Sequence, residues 1–352
     1  MKKTCILAVC MAVLGILFIG CQGQPGNGKE ELVRYNANFF DVFDTQTTVV
    51  GYAKSQEEFD GKIELLKEKL VHYHQLYDIY HTYEGVNNIK TINDNAGMEP
   101  VKVEQEIIDL LKMSKEMYRV TSGKVNVAMG SVLNIWHEYR DFGRENPDQA
   151  SLPEPRELEQ AAEHMDIDKL LIDEKNKTVY LEDSQMSLDV GGVGKGYAVQ
   201  KATEYAKEIG LTDCLISVGG NVCALGVKQD GSQWKIGIEN PGLDIEDAYI
   251  EKVFVKERCV VTSGDYQRYY TVDGIRYCHI IDPDTLMPAS HYASVTIIAK
   301  DSGVADALST ALFTMNLEDG MSLIDSIEDA EAMWVYKDGE IHYSKGFPSY
   351  ND

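Results

Sequence analysis

Residues 189–197 read D-V-G-G-V-G-K-G-Y, and this glycine-rich stretch lies between a strand-like segment and a predicted helix. Its four glycines let backbone N–H groups approach a ligand closely, which favours an anion and phosphate above all. It fits neither standard phosphate motif, because a P-loop needs Ser or Thr where Gly196 stands and the dinucleotide pattern needs Gly where Tyr197 stands. A tight turn without a ligand is the alternative. The stretch also marks a change in the chain: mainly helical patterns precede it and mainly strand patterns follow it.

Helical patterns dominate the first half. Residues 39–53 are rich in β-branched and aromatic residues and predict one or two strands, after which Ser55 and Glu58 form a capping box. Apolar side chains then recur at spacings of three and four, which predicts a long amphipathic helix: Phe59, Ile63, Leu66, Leu70, Tyr73, Tyr77 and Tyr80. A second helix is predicted over 103–120. A loop at 145–155 is followed by a short helix that ends at Met165, and a further helix is predicted over 193–209 and ends at Gly210.

Strand patterns dominate the second half. Predicted strands lie at 214–218, 222–227, 234–238, 250–255, 260–263, 269–281 and 294–299, with Asp-Gly turn signals at 230, 273 and 338. Two helices, at 301–315 and 319–325, precede the last hairpin. Since strands and helices do not alternate, the sequence predicts an α+β fold with mostly antiparallel sheets.

Composition excludes several classes of protein. The chain has 352 residues, 44% of them hydrophobic, and only 9 prolines, which excludes a mostly disordered chain. Its net charge of −24 repels phosphate backbones, so we expect no nucleic-acid partner. Past residue 20 no apolar run approaches the roughly 18 residues of a spanning helix.

The first 35 residues predict export and a lipid anchor. Residues 1–20 have a short basic start and an apolar run, which is typical of a signal peptide. Gly20-Cys21 resembles the lipobox junction of bacterial lipoproteins, with Cys21 as the lipidated residue, and residues 21–35 predict a flexible tether. We therefore expect a membrane-anchored protein outside the cytoplasm. An ordinary secreted protein cut nearby is the alternative.

Four cysteines remain after the anchor: Cys214, Cys223, Cys259 and Cys278. Export permits disulfides, but each cysteine lies in an apolar, strand-like stretch and no zinc-type spacing is present. Buried free thiols are the favoured interpretation.

Two further clusters carry candidate chemistry. His279 is near the end of a strand and Asp282 follows it in a turn, so either could act as a base, although a structural histidine is the alternative. Asp306 and Thr310 are four apart on a predicted helix, so their oxygens share one face. A carboxylate and a hydroxyl so placed suit Mg²⁺. A solvated acid and a helix-facing threonine would give the same pattern.

Together these stretches resemble the ApbE family of Mg²⁺-dependent FAD:protein FMN transferases, typically lipoproteins. The resemblance rests on five motifs in one order: D-V-G-G-V-G-K-G-Y-A at 189–198, S-V-G-G-N at 217–221, T-S-G-D-Y at 262–266, H-I-I-D-P at 279–283 and A-D-A-L-S-T at 305–310. It covers roughly residues 39–340 and implies one flavin transferase domain over 36–352.

The resemblance also implies roles for individual residues. Gly192, Asp306 and Thr310 match the metal ligands, and His279 matches the proposed general base. Matches to the flavin-contacting positions are Phe43, Tyr83, Lys124, Val125, Asn126, Asp189, Lys195 and Ile281. Two positions depart from the family pattern: Phe43-Asp44-Thr45 stands where the family has M-G-T, and Asn126 where many members have Asp.

The implied reaction is attack by a Thr or Ser hydroxyl of an acceptor protein on the FMN phosphorus of FAD, which releases AMP. A hydroxyl needs a base, and the reference pKa of histidine, about 6.5, suits His279 to that task. Two other functions fit the same residues: an Mg²⁺-dependent FAD pyrophosphatase that gives FMN and AMP, and a non-catalytic flavin-binding lipoprotein.

Overall fold

The computed structural model describes residues 32–242 and 248–351. The predicted signal peptide, Cys21 and the tether up to residue 31 lie outside the described residues. No helix in the described ranges has both the length and the apolar character that crossing a membrane requires. The first described strand begins at Val33, so it includes residues 33–35 of the stretch for which the sequence predicts a tether.

The α-helices of the described residues are α1 (Gln56–Tyr77), α2 (Ile89–Asp94), α3 (Gln105–Val120), α4 (Gly130–Glu145), α5 (Pro155–Ala162), α6 (Gly194–Glu208), α7 (Ser302–Thr314) and α8 (Leu317–Asp325). The strands are β1 (Val33–Val42), β2 (Thr45–Ala53), β3 (Val101–Lys102), β4 (Leu170–Asp173), β5 (Thr178–Leu181), β6 (Cys214–Val218), β7 (Asn221–Leu225), β8 (Trp234–Glu239), β9 (Tyr249–Val255), β10 (Arg258–Gly264), β11 (Tyr269–Val272), β12 (Ile275–Cys278), β13 (Tyr292–Ala299), β14 (Glu331–Tyr336) and β15 (Ile341–Tyr343).

The centre of the fold is an eight-stranded sheet in the order β1-β2-β6-β7-β10-β13-β14-β15, and every neighbouring pair in it is antiparallel. Within the part of the chain that the structure describes, three smaller antiparallel sheets accompany it: β11-β12, β3-β5-β4 and β8-β9. The α+β prediction with mostly antiparallel sheets is confirmed.

Side chains alternate between the two faces of the large sheet, as the two-residue period of a strand requires. In β13, Ile297 joins the core under α1, α6 and α7, whereas Ile298 packs against the β8-β9 hairpin. The same alternation separates Val261 from Val260 in β10. Helix α7 is buried along nearly its whole length, so apolar packing fixes it within the core.

Two local predictions gain detail from the structure. Ser55 caps α1 by accepting from Glu58 N–H at 3.2 Å, and the predicted apolar stripe of this helix is buried from Phe59 to Tyr77. The predicted strand at 269–281 is a hairpin of β11 and β12, because Asp273 and Gly274 have φ of 50° and 80° and turn the chain back.

Helix α4 is absent from the sequence-based prediction. It buries Val132 and Trp136 in a third core cluster, separate from the apolar packing on the two faces of the large sheet, together with Leu158 of α5 and Tyr270 of β11. This cluster holds α4 beside the β11-β12 hairpin, and that placement brings α4 to the functional site described below.

The cysteine prediction is partly wrong. Cys214 and Cys278 are free and buried, as predicted, but Cys223 and Cys259 form a disulfide. The reason is the register of β7 and β10, which places these two residues directly opposite each other with their Cα atoms 4.0 Å apart. They are 36 positions apart in the sequence, so only strand pairing brings them together.

Candidate active site

A cavity of about 680 Å³ opens between the glycine-rich turn before α6, the C-terminal end of α1, one face of α4, and the ends of β10 and β12. This volume is in the usual range for a small-molecule or cofactor site, roughly 300–1,000 Å³. Nearly all the site residues expected from the sequence line it: Phe43, Tyr83, Lys124, Val125, Asn126, Asp189, Gly192, Lys195, His279, Ile281, Asp306 and Thr310. Asp282 is not among the lining residues, and Cys21 lies outside the described residues.

Asp189 holds the glycine-rich turn in place through hydrogen bonds. Asp189 is buried, donates its N–H to Val127 O at 2.8 Å, and accepts from Gly191 N–H at 2.7 Å through Oδ1. Gly192 lies against α7, since a Cβ at this position would be 3.4 Å from Thr310 Oγ1. At Gly192 the turn therefore presents backbone rather than a side chain to the cavity and to Thr310.

The side chains of Asp306 and Thr310 meet the glycine-rich turn where it touches α7. Asp306 is 4% exposed, and its Oδ2 accepts a hydrogen bond of 2.7 Å from Gly196 N–H. Thr310 lies one helical turn further along and also lines the cavity, beside Gly192. A carboxylate, a hydroxyl and a backbone carbonyl are hard oxygen donors with no sulfur or imidazole among them, so this set fits Mg²⁺.

Lys195 supplies a positive charge beside that set. Its Nζ donates to Asn221 Oδ1 at 2.8 Å and lies 3.6 Å from Asp306 Oδ1. Asn221 is a fully buried residue at the start of β7, so the amide fixes the ammonium group at the cavity wall. The contact supports an anion-binding role for this end of the cavity, although the protein as a whole is acidic.

His279 is held in a defined tautomer. Its backbone N–H and its Nδ1 both lie 3.1 Å from the carbonyl oxygen of Arg268. Because a carbonyl can only accept, Nδ1 carries the proton and Nε2 is left with a lone pair. Burial and the positive charge of Arg268 lower the pKa of His279 to about 3, so the ring is neutral at physiological pH and can accept a proton.

Asp282 has a different environment. Its Oδ1 pairs with Lys124 Nζ at 2.7 Å and accepts from Asp284 N–H at 3.1 Å. Burial opposes the ammonium charge of Lys124, but the carboxylates of Asp282 and Asp284 outweigh it and raise the pKa of Lys124. A carboxylate engaged in this way outside the cavity lining is a poorer base than His279.

The side chain of Asn126, a lining residue, is hydrogen-bonded within the protein. Its amide nitrogen donates to Met165 O and its amide oxygen accepts from Ala128 N–H, both at 2.9 Å. Val125 and Ile281, which are buried, add apolar surface to the lining.

Two aromatic residues, Phe43 and Tyr83, form part of the cavity wall. Phe43 has φ of 53° and packs edge-on against His74 with ring centroids 5.5 Å apart, while its N–H donates to His74 Nδ1 at 3.3 Å. Tyr83 O–H donates to Asp78 Oδ2 at 2.7 Å, and burial with this contact raises the pKa of Tyr83 to about 12. Tyr83 thus stays a neutral donor.

Sequence reasoning missed several lining residues. Leu133, His137 and Arg140 lie on one face of α4 and project into the cavity with Tyr80 and Arg268. Their spacing of four and three is a helical signal, and the apolar residues at 129, 132, 133 and 136 repeat it. That pattern could have identified α4, but not which of its faces meets the site.

Comparison with known proteins gives one consistent result. The sequence matches the family model described as ApbE family over residues 43–334. A protein of Klebsiella pneumoniae strain 342 named FAD:protein FMN transferase is 31% identical over 265 residues, which cover 75% of this chain and 79% of that protein. A protein of Treponema pallidum strain Nichols with the same name is 31% identical over 273 residues, 73% of each chain.

Solved structures agree. The crystal structure of the ApbE protein from Thermotoga maritima MSB8 superposes with a TM-score of 0.80 at 30% identity, covering 91% of this chain and 100% of that one. Flavin transferase ApbE from Vibrio cholerae superposes with a TM-score of 0.75 at 24% identity, covering 91% of this chain and 99% of that one, and shares the fold.

Proposed function

Because this chain belongs to the ApbE family and its relatives are named FAD:protein FMN transferases, we propose that it moves FMN from FAD onto a Thr or Ser hydroxyl of an acceptor protein, with Mg²⁺, and releases AMP. One observation carries the proposal for this chain: a single cavity holds His279 with a free Nε2, the Lys195 ammonium, and the oxygens of Asp306, Thr310 and Gly192.

His279 is the proposed general base. The acceptor hydroxyl oxygen forms a bond to the FMN phosphorus while its proton passes to Nε2 of His279. The phosphorus–oxygen bond to AMP breaks, and its electron pair leaves with AMP, so charge and protons balance. The hydrogen bond from Nδ1–H to Arg268 O keeps the accepting nitrogen turned away from the hairpin backbone.

The negative charge of the pyrophosphate needs local compensation in so acidic a protein. Lys195 provides it directly, whereas the N–H groups of Gly191 and Gly196 act within the protein, where they hold the carboxylates of Asp189 and Asp306 in place. Asp306, Thr310 and the Gly192 carbonyl would hold Mg²⁺, which when bound supplies Lewis-acid stabilisation of phosphate oxygens. Asp306 is already oriented for this by the Gly196 N–H, which occupies one lone pair of Oδ2.

We also propose that the enzyme works outside the cytoplasm, tethered through lipid on Cys21. The support is the apolar run before Gly20-Cys21 and the resemblance of that junction to a lipobox. Its acceptor would then be a protein that exposes a Thr or Ser at the same membrane face.

The deciding experiment incubates the purified protein with FAD, Mg²⁺ and a flavinylation-motif acceptor and weighs all products. We expect the acceptor to gain the mass of one phosphoester-linked FMN and AMP to appear in equal amount. FMN and AMP without modified acceptor would identify an FAD pyrophosphatase instead. Unchanged FAD would identify a flavin-binding protein without activity, and His279→Gln is the matched control for adventitious hydrolysis.

A further inference from the structure

We propose that Tyr80, His137 and Asp189 form a subsite for one flat heteroaromatic end of FAD, in which His137 is a positioning residue for the other two. The inference rests on the proposed function, since it takes FAD as the ligand. All three side chains line the cavity, and His137 and Tyr80 belong to none of the recognised motifs.

The contacts form a chain through the imidazole. Tyr80 Oη lies 3.3 Å from His137 Nδ1, and the two rings are tilted with centroids 6.1 Å apart. On the other side of the ring, His137 Nε2 lies 3.8 Å from Asp189 Oδ2. His137 is therefore placed to hold an aromatic ring with one nitrogen and a carboxylate with the other.

Backbone contacts fix the spacing between the histidine and the acid. Gly130 N–H donates to Ser187 O at 2.9 Å, and Asp189 N–H donates to Val127 O at 2.8 Å. A Cβ at residue 130 would lie 2.4 Å from Ser187 O, so the start of α4 is pressed against the segment that leads into the glycine-rich turn. His137 follows two helical turns later, so these contacts help to set its position relative to Asp189.

The hydrogen-bonding groups of Asp189 and His137 that remain unused in the protein define the kind of ligand edge that fits. Oδ1 of Asp189 accepts from Gly191 N–H, whereas Oδ2 lies on the side of His137, 3.8 Å from its Nε2, and the residue lines the cavity. Burial lowers the pKa of His137, so at neutral pH the ring is uncharged, and when Tyr80 O–H donates to Nδ1, its Nε2–H points toward Asp189. A buried carboxylate with an open lone pair selects a ligand edge that carries an N–H donor.

Tyr80 supplies the other element of ring recognition. Its side chain is 55% exposed at the cavity, which leaves a ring face for stacking. A flat ring with an N–H edge occurs at both ends of FAD, as the amino group of adenine and the imide of isoalloxazine. Both ends therefore offer the same chemistry to the subsite, and the experiment distinguishes which end binds there.

The test compares wild type with His137→Phe, which keeps a flat ring and removes both nitrogens, and with His137→Gln, which restores hydrogen bonding. Glu138→Gln is the matched control, because Glu138 is the exposed next residue of α4 and does not line the cavity. Dissociation constants for FAD, FMN and AMP are measured by calorimetry, together with melting temperature and kcat for FMN transfer.

We expect His137→Phe to weaken FAD about tenfold, because Tyr80 and Asp189 lose the ring nitrogens that position them, and to weaken only one of FMN and AMP by a similar factor. The affected fragment identifies the ring. His137→Gln should recover part of the affinity, and the effect of His137→Phe should appear in KM more than in kcat, because the proposed role of His137 is in binding the ring. Combined with Asp189→Asn, His137→Phe should cost less than it does alone.

Equal weakening of FMN and AMP, or an FAD affinity within about twofold of wild type, would overturn the subsite. So would a loss of affinity that appears only with a lowered melting temperature and that His137→Gln does not rescue. The binding measurements decide this inference even if wild type transfers no FMN, in which case the proposed reaction fails and the ring subsite is judged separately. If wild type binds no FAD, both fail.

Discussion

The backbone N–H of Gly196 donates a hydrogen bond of 2.7 Å to Oδ2 of Asp306, a residue 110 positions further along the chain. A Cβ at residue 196 would lie 2.4 Å from Asp306 Cβ and 2.4 Å from Ser302 O. Helices α6 and α7 therefore touch where the glycine-rich turn meets the proposed metal site, and only glycine fits at that contact.

Replacing Gly196 by Ala should damage both stability and activity. The added methyl group must push α6 away from α7, which we expect to lower the free energy of unfolding by about 1–3 kcal/mol and to displace Asp306. Urea denaturation and FMN transfer measure the two effects. Gly61→Ala is the control, because Gly61 is exposed in α1 and a Cβ there would meet no neighbouring side chain within 4 Å, and it should stabilise the protein by about 0.5–1 kcal/mol.

Asp306→Asn should lower Mg²⁺-dependent transfer by about a hundredfold or more, because it removes a charged ligand while keeping the size of the side chain. The amide oxygen can still accept from Gly196 N–H, so we expect the melting temperature to change less than in Asp306→Ala. The measurement is the transfer rate against Mg²⁺ concentration at saturating FAD. A rate equal to that of wild type would remove Asp306 from the metal site.

His279→Gln should lower FMN transfer by about two to four powers of ten, with FAD affinity nearly unchanged. In wild type, a pKa of about 3 keeps the ring neutral, so the acidic limb of kcat/KM should lie well below pH 6.5. A pH–rate profile of both proteins tests this. If Asp282→Asn loses transfer and His279→Gln keeps it, the base is Asp282.

The same residue gives a prediction for stability. The pKa of His279 is lower in the folded than in the unfolded chain, so between pH 6.5 and pH 3 the unfolded state binds the proton more strongly. Stability is therefore lost as pH falls through that window. Acid denaturation of His279→Gln, followed by circular dichroism, should show a smaller loss, and an identical loss in both proteins would contradict the burial argument.

Breaking the disulfide should destabilise the protein by about 2–4 kcal/mol, because Cys223 and Cys259 join neighbouring strands of the central sheet. Peptide mapping without reductant should recover the linked pair, and denaturant curves with and without reductant should give the energy. In the Cys223→Ser, Cys259→Ser double variant, reductant should have no further effect.

Cys21→Ser should release the protein from the membrane fraction, because a serine cannot take the thioether-linked lipid. Fractionation and the intact mass of the protein test this together. A variant that still sediments with membranes and still carries lipid would show that Cys21 is not the anchor.

Local sequence determined much of this protein. The apolar stripe of α1, its Ser55 cap and the turn at Asp273-Gly274 each depend on a few neighbouring residues, so they predict these elements directly. The order of the predicted elements, in which strands and helices do not alternate, predicts the fold class. The glycine-rich turn and the spacing of Asp306 and Thr310 likewise express their chemistry within one segment.

Only the tertiary structure decided which segments meet. The disulfide follows from the register of β7 and β10, the tautomer of His279 follows from the hairpin that brings Arg268 O to its Nδ1, and α4 reaches the cavity because a third core cluster holds it there. Each depends on residues far apart in sequence, and their closeness is set by how apolar faces pack against one another. A pattern within one segment carries no information about that packing, so His137 and Tyr80 became visible as cavity residues only in the folded chain.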